Sequence, residues 1–223
     1  MADTTGVESL YPFLYAAPAD LDAVLEEVRR STVAKAGEIV DLRREVLERD
    51  GERLAACAEA MAASFAAGRK LLTFGNGGSS TDAQDVATTF LHPAGPRRPL
   101  PALSLTSDIA VVTALSNDIG FEVVFARQIA AFGRTGDIAM GLSTSGNSDN
   151  LVRAFEEASR RGLLTVGLAG YEGGKMAELE TIDHLFVVPS ASVHRIQEAQ
   201  TTVYHVLWEL TQSALVNGQP SSS

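Results

Sequence analysis

The fold is decided by the stretch KLLTFGNGGSS, residues 70–80, together with the related stretch IAMGLSTSGNS, residues 138–148. In each, a short apolar run typical of a buried strand passes through glycine and small hydroxyl residues into a helical pattern. Such a turn directs backbone N–H groups and hydroxyls at the positive end of a helix dipole, which favours a phosphate or carboxylate. Two such turns in one chain predict that a small phosphorylated ligand is held between them.

Apolar runs and helical patterns alternate along the chain after Gly68. The predicted strands are 71–74, 102–105, 138–141, 164–168 and 184–188, and the predicted helices are 79–91, 108–115, 121–131, 148–161 and 192–215. Short strands separated by helices predict an α/β fold with a doubly wound parallel sheet. Ligands of such folds bind beyond the carboxyl ends of the strands, and both loops lie at such ends.

The chain before the sheet is predicted to be an arm followed by helices. Residues 1–18 are rich in turn-forming and aromatic residues, and we interpret them as an arm that packs on this chain or a neighbour, with a disordered tail as the alternative. Apolar residues recur at helical spacing over 20–47 and 53–67, and Asp50-Gly51 is expected to separate two helices. The predicted organisation is therefore an arm at 1–18, helices within 19–68, a core at 69–216 and a tail at 217–223.

Composition and charge exclude several classes of protein. The chain has 223 residues, which suits one domain, and a formal net charge of −10. An acidic chain has no general attraction for nucleic acid or anionic membrane, so an anion site must be built locally from backbone dipoles and hydroxyls. The single cysteine, Cys57, excludes an internal disulfide and favours a cytoplasmic location, and no apolar run approaches the length of a membrane span.

The two loops differ in how specifically they indicate a ligand. The first has Gly77-Gly78-Ser79-Ser80 where a P-loop requires Gly-Lys-Ser/Thr, and it also lacks the acidic residue of the dinucleotide pattern. The second offers four hydroxyls within six residues, on Ser143, Thr144, Ser145 and Ser148, and Ser148 is also a predicted helix N-cap. Capping requires only one hydroxyl, so phosphate binding is favoured over a simple tight turn.

Five short motifs together, in this order, resemble the SIS (sugar isomerase) domain family, and within it the phosphoheptose isomerases. They are Gly75-Asn-Gly-Gly-Ser, Asn117-Asp118, Ser143-Thr-Ser-Gly-Asn-Ser, Gly173-Gly-Lys-Met-Ala and Arg195-Ile-Gln-Glu. The resemblance covers about residues 35–215. It implies a five-stranded parallel sheet of the flavodoxin-like kind, a homotetramer, and phosphosugar binding at subunit interfaces.

The resemblance also implies a set of substrate contacts. They are Asn76, Gly77, Gly78, Ser79, Asn117, Asp118, Ser143, Thr144, Ser145, Ser148 and Gln197. The residue types agree with this role, because amides and hydroxyls suit sugar hydroxyl groups and helix N-termini suit the phosphate.

The chain departs from the family on the helix after the first loop. The resemblance implies a His and a Glu one turn apart there, completed by a Gln and a His on the last helix, as a metal-binding and proton-transfer group. Gln197 and His205 match the last-helix pair and lie about 80° apart around a helix. The His position, however, holds Asp85 and the Glu position holds Thr89, whose hydroxyl cannot serve as a general base near neutral pH.

Three alternative hypotheses explain how the chain could act without this carboxylate. His205 serves as the base, or Asp85 serves as the base or as a metal ligand. In the third, Asp85, Gln197 and His205, with or without His92, bind a metal through mixed oxygen and nitrogen ligands, with zinc as the expected ion. His92 follows Asp85 by seven residues and so shares its helix face. Each residue also has a plain structural explanation: an exposed polar side chain for Asp85, the end of a helix for His92, and packing for His205.

Two functions of different classes follow. The first is a cytoplasmic aldose–ketose isomerase acting on a seven-carbon or related sugar phosphate, and the complete loops and His205 favour it. The second is a non-catalytic SIS protein that uses the same cradle as a phosphosugar sensor, or acts as a tetrameric adaptor for a protein partner, and Thr89 favours it. Neither function involves direct contact with nucleic acid or membrane.

Overall fold

The computed structural model describes residues 21–217, so the predicted arm at 1–18 and nearly all of the predicted tail lie outside the described residues. The chain divides into two compact units, and the boundary between them falls between Asp41 and Leu42 in the sequence. The sheet belongs to the second unit. The elements are α1 (Leu21–Ala66), β1 (Leu71–Gly75), α2 (Gly78–Leu91), β2 (Ala102–Ser104), α3 (Ile109–Asp118), α4 (Val124–Phe132), β3 (Ile138–Leu142), α5 (Asp149–Arg160), β4 (Leu164–Gly170), β5 (His184–Val188) and α6 (Val193–Asn217). Within residues 21–217, no helix is both long enough and apolar enough to cross a membrane.

The sheet confirms the predicted fold class. Its five strands are all parallel and lie in the order β2-β1-β3-β4-β5. Every residue of β1 and β3 is buried, as their uniform apolar character predicts. The strand order reverses between β1 and β3, where Gly75 pairs with Leu142. Both glycine- and serine-rich loops therefore leave the sheet side by side at the switch point, where ligands of this fold class bind.

Two apolar layers cover the two faces of the sheet. The layer formed with α1, α2 and α6 contains Met61, Phe90 and Leu207. The opposite layer, formed with α4 and α5, is built around Phe74, whose ring lies 5.5 Å from that of Phe125 and 5.2 Å from that of Phe155. This packing fixes α2 and α6 on the same face, so that side chains from these two helices can meet.

The predicted helix break at Asp50-Gly51 is wrong, because α1 runs without interruption from Leu21 to Ala66. The Asp50 carboxylate is fully buried and accepts hydrogen bonds from Arg49 at 2.6 Å and from Arg53 at 2.5 Å. A polar residue that favours turns in solution is thus held inside a helix by its ion pairs.

The same two arginines contact the edge of the sheet. Arg53 donates a hydrogen bond to the carbonyl oxygen of Leu185 at 2.6 Å, and Arg49 donates to that of Val187. These carbonyls belong to β5, which among the strands of residues 21–217 pairs only with β4 and so leaves its other edge unpaired. The guanidinium groups cover this edge, which otherwise presents unpaired backbone groups to other chains.

Replacement of Asp50 by alanine is expected to lower the free energy of unfolding by about 2 kcal/mol. The change removes the carboxylate that accepts hydrogen bonds from both arginines. The loss is limited because the side chains of Arg49 and Arg53 are 41% and 54% exposed and remain hydrated. Urea unfolding measures the loss. Glu45→Ala, which removes an exposed carboxylate from the same helix, is the control and should stay within about 0.5 kcal/mol of the parent. Equal losses in the two variants contradict an anchoring role for Asp50.

Candidate functional site

The first loop is closed by a side chain from the last helix. Gln197 of α6 reaches Gly78 so closely that a Cβ atom at residue 78 would lie 2.3 Å from the Gln197 Nε2 atom. The same amide donates a hydrogen bond to Asp82 Oδ2 at 3.4 Å. A side chain at residue 78 would therefore displace the Gln197 amide, which lies beside the first loop.

An amide pair joins the first loop to the helix that follows the second. Asn76 Nδ2 donates to Asn150 Oδ1 at 2.9 Å, and Asn150 Nδ2 donates to Asn76 Oδ1 at the same distance. Asn150 is buried at the start of α5. The two loops are thus fixed relative to each other, and the amide nitrogen of the partly exposed Asn76 keeps a second N–H for a ligand.

Hydroxyl groups shape the second loop from within. Ser143 Oγ accepts from the backbone N–H of Gly146 at 2.9 Å, and Ser145 Oγ accepts from that of Asn147 at 3.2 Å. Ser148 stands at the predicted N-cap position of α5, but its side chain makes no capping hydrogen bond. A hydroxyl that accepts a hydrogen bond can still donate its own proton, so both serines remain able to contact a phosphate.

The segment Gly173–Ala177 supports the second loop from outside. The backbone N–H of Met176 donates to the carbonyl of Gly146 at 3.0 Å, and that of Lys175 donates to Asn147 Oδ1 at 3.0 Å. Gly146 has a φ of 68°, and a Cβ atom there would lie 1.9 Å from the carbonyl oxygen of Gly173. The motif at residues 173–177 therefore supports the backbone of the second loop.

Substitution of Gly146 by alanine is expected to cost about 3 kcal/mol of unfolding free energy, from left-handed backbone strain and displacement of Gly173. Gly68→Ala is the matched control. Gly68 has a similar φ of 74° but has no atom within 4 Å of the added Cβ, so only the strain of about 1 kcal/mol applies. Equal effects in urea unfolding contradict the steric role of residue 173.

Asp85, Tyr204 and His205 form a cluster between α2 and α6. The Tyr204 hydroxyl donates to Asp85 Oδ2 at 2.7 Å, and the same oxygen lies 3.7 Å from His205 Nε2. The rings of Tyr204 and His205 lie 5.0 Å apart. Burial, reinforced by the Asp85 carboxylate, raises the pKa of Tyr204, so the phenol stays protonated and acts as a donor. The side chains of Asp85 and His205 remain about half exposed.

A second carboxylate, Asp82, lies one turn before Asp85. Burial raises the pKa of Asp82, the hydrogen bond from Gln197 lowers it, and the charge of Asp85 raises it. Asp82 therefore accepts a proton more readily than an ordinary aspartate does, and it links the amide of Gln197 to the Asp85 cluster.

Three predicted site residues are not connected to this cluster. Asn117 donates to Asp118 at 2.9 Å, and within residues 21–217 no hydrogen bond joins either exposed side chain to the two loops. His92 leaves the helical path, with φ −125° and ψ 63°, because α2 ends at Leu91. The seven-residue spacing from Asp85 therefore does not set its direction as it would inside a helix.

The described residues of one chain fit a zinc ion only in part. No group of three or more His, Cys, Asp and Glu side chains able to hold a metal occurs within residues 21–217. Asp85 and His205 come together, but His92 does not join them, and structural or catalytic zinc takes at least three protein ligands. The metal set expected from the sequence is thus not assembled within a single chain, and zinc binding stays a prediction.

An open cavity of about 760 Å³ adjoins the second loop. It is lined by Ser145, Asn147, Tyr171, Glu172, Gly174, Pro189, Ser190 and Ala191. This volume lies within the range of small-molecule sites. The second loop therefore borders enough space for a polyhydroxylated ligand.

Residues 36–170 match the family model of the SIS domain. The chain belongs to the SIS domain family. Phosphoheptose isomerases from Nitratidesulfovibrio vulgaris strain Hildenborough and Geobacter sulfurreducens are 42% and 44% identical, over 191 and 173 residues. These alignments cover 85% and 77% of this chain and 91% and 90% of the relatives. The solved phosphoheptose isomerase from Neisseria gonorrhoeae is 34% identical with a TM-score of 0.77, covering 83% of this chain and 99% of that one.

Two residues of this candidate site were not predicted from the sequence, although the sequence contains a feature that indicates each of them. Asn150 lies on the buried face of α5 together with the apolar residues Leu151 and Ala154. A buried amide requires a hydrogen-bond partner. Tyr204 follows Val203 on α6, and both residues are buried, so its position by itself indicates only packing. A buried tyrosine usually finds a hydrogen-bond partner for its hydroxyl, which here is Asp85.

Proposed function

We propose that this SIS chain is an aldose–ketose isomerase that acts on sedoheptulose 7-phosphate or a closely related sugar phosphate. The observation that carries the proposal is the Asp85–His205 pair, on the two helices that flank the first loop. The relatives named above are phosphoheptose isomerases, which supports the same substrate class.

The phosphate is proposed to bind the second loop. Ser143, Thr144, Ser145 and Ser148 offer hydroxyl protons at the start of α5, and the unused capping hydroxyl of Ser148 supports this role. Asn76 and Gln197 offer amides for the sugar hydroxyls, from positions fixed by Asn150 and Asp82. Gly77, Gly78 and Ser79 supply the backbone of the first loop, and Asn117 and Asp118 stay predicted contacts.

The reaction moves two protons and changes no other atom. Starting from the ketose, a base removes a proton from C1 while the C2 carbonyl oxygen receives one, which gives an enediol. The base then returns its proton to C2, and the O1 hydroxyl loses its proton as the C1 carbonyl forms. Catalysis needs a base within hydrogen-bond reach of C1 and C2 and a proton donor at the oxygens.

His205 is proposed as the base, with Asp85 as its charged partner. An imidazole commonly transfers protons near neutral pH. The Asp85 carboxylate, 3.7 Å from Nε2, attracts the imidazolium that forms when the proton arrives. Thr89 supplies no base, and this scheme needs none there. No step in it passes through a metal.

We also propose a homotetramer in the cytoplasm. No residue of α3 is buried in the described chain, although the helix is largely apolar. Ile109 is 70% exposed, and Ile119 and Phe121 are each about half exposed. Exposed apolar patches of this kind favour contact with another protein surface. The chain has a single cysteine, Cys57, and so forms no internal disulfide, which agrees with a reducing compartment.

The decisive experiment incubates the purified chain with sedoheptulose 7-phosphate, with and without added zinc, and follows formation of the aldoheptose phosphate. Turnover supports the isomerase. A sugar phosphate that raises the melting temperature without forming product instead supports the non-catalytic sensor or adaptor, which Thr89 favours.

A further inference from the structure

We propose that Tyr204 is a positioning residue that holds the Asp85 carboxylate in place for proton transfer. This inference rests on the proposed isomerase function and concerns a residue that packing alone does not explain. The Tyr204 hydroxyl is the only side-chain donor, within residues 21–217, that hydrogen-bonds to Asp85.

The Asp85–His205 pair does not fix its own geometry. The distance of 3.7 Å between Asp85 Oδ2 and His205 Nε2 exceeds that of a hydrogen bond. Both side chains are about half exposed, so neither is held by close packing. An aspartate with no other restraint would rotate among its rotamers, and the separation of the two groups would vary.

Tyr204 supplies the missing restraint from a rigid position. It is 2% exposed and belongs to the apolar layer that also contains Val203 and Leu207. Its hydroxyl reaches Asp85 Oδ2 at 2.7 Å, while its ring lies against that of His205 at 5.0 Å. One buried residue therefore contacts both members of the pair, which is how a supporting residue keeps catalytic groups in register.

The hydrogen bond also selects which carboxylate oxygen remains available. Tyr204 and His205 both approach Oδ2, and Oδ1 has no hydrogen-bond partner among residues 21–217. Oδ1 is consequently free to accept a hydrogen bond from the substrate, such as from a hydroxyl on C1 or C2. Loss of the Tyr204 hydroxyl would let the two oxygens exchange places.

The test is Tyr204→Phe, which keeps the ring and removes only the hydroxyl. We expect kcat for sedoheptulose 7-phosphate to fall about 10-fold with KM unchanged, because ligand-binding groups on the loops are untouched. The melting temperature should change by less than about 4 °C. Thr211→Val is the matched control, since Thr211 lies two turns further along α6 with a buried hydroxyl that has no partner among the described residues. This control should keep the parental kcat.

A double-mutant cycle separates positioning from general support of the fold. In an Asp85→Ala background, Tyr204→Phe should change the remaining kcat by less than about 2-fold, because its target is absent. An equal loss of kcat in both backgrounds, a parental kcat in Tyr204→Phe, or a rise in KM alone overturns the proposal. If the parent chain itself shows no turnover, the isomerase function fails and this inference fails with it. Parental turnover with an unaffected Tyr204→Phe variant refutes the inference alone.

Discussion

Substitution of His205 by alanine is expected to lower kcat for sedoheptulose 7-phosphate isomerisation by about 10³-fold, the range typical of losing a general base. The physical reason is that Thr89 offers no base and His205 is the one imidazole that contacts the Asp85 carboxylate within the described chain. KM should change little, because the proposed phosphate site lies on the second loop and not at His205. Steady-state kinetics with detection of the aldose measures both quantities.

The control for this loss is His184→Gln. His184 begins β5, at the end of the sheet opposite the two loops, and partial burial lowers its pKa. It is therefore a histidine of the same chain without access to the site, and its variant should keep the parental kcat. A His205→Ala variant with kcat within a few-fold of the parent contradicts the role of His205 and directs attention to Asp85.

Removal of two hydroxyls from the second loop, in the variant Ser145→Ala with Ser148→Ala, is expected to weaken sugar phosphate binding about 100-fold. Each hydroxyl hydrogen bond to a charged group contributes about 1.5 kcal/mol or more, and the two losses together give this factor. Ser143 is left intact because it is buried and its bond to the Gly146 N–H, at 2.9 Å, is shorter than the 3.2 Å bond of the less buried Ser145 to the Asn147 N–H.

Thermal unfolding with ligand measures this effect. A sugar phosphate at about 100 times its parental Kd should raise the melting temperature of the parent by about 5–10 °C and that of the double variant hardly at all. Ser159→Ala, an exposed serine near the far end of α5, is the control and should show the parental shift. An undiminished shift in the double variant means that the phosphate binds elsewhere, and this outcome is independent of turnover.

Much of the fold followed from periodicity and turn chemistry. The five apolar runs became the five strands, within two residues at each end, because buried parallel strands need uniform apolar character and leave an unambiguous signal. The break expected at Asp50 did not occur. Local propensity favours a turn there. The ion pairs of Asp50 with Arg49 and Arg53 form within α1 itself and oppose the turn. The bonds of the two arginines to Val187 and Leu185 of β5 also hold this part of the helix, and they exist only after α1 has packed beside β5.

The candidate site was likewise predictable from the sequence only in part. The sequence predicted both loops at strand ends, where the structure has them, and the family resemblance pointed to Gln197 and His205 on the last helix. It could not show that Asp85 contacts Tyr204 and His205 or that His92 leaves the helix, because these depend on how α2 ends and where α6 crosses it.

By itself, then, the sequence determined the loops and the parallel sheet and predicted an anionic ligand, because each follows from short-range patterns of glycine, hydroxyl and apolar residues. The tertiary structure decided which polar groups act together. The partners are far apart along the chain: 74 residues separate Asn76 from Asn150 and 119 separate Asp85 from Tyr204. Contacts of that separation are set by how helices pack on the sheet, and no local pattern encodes them.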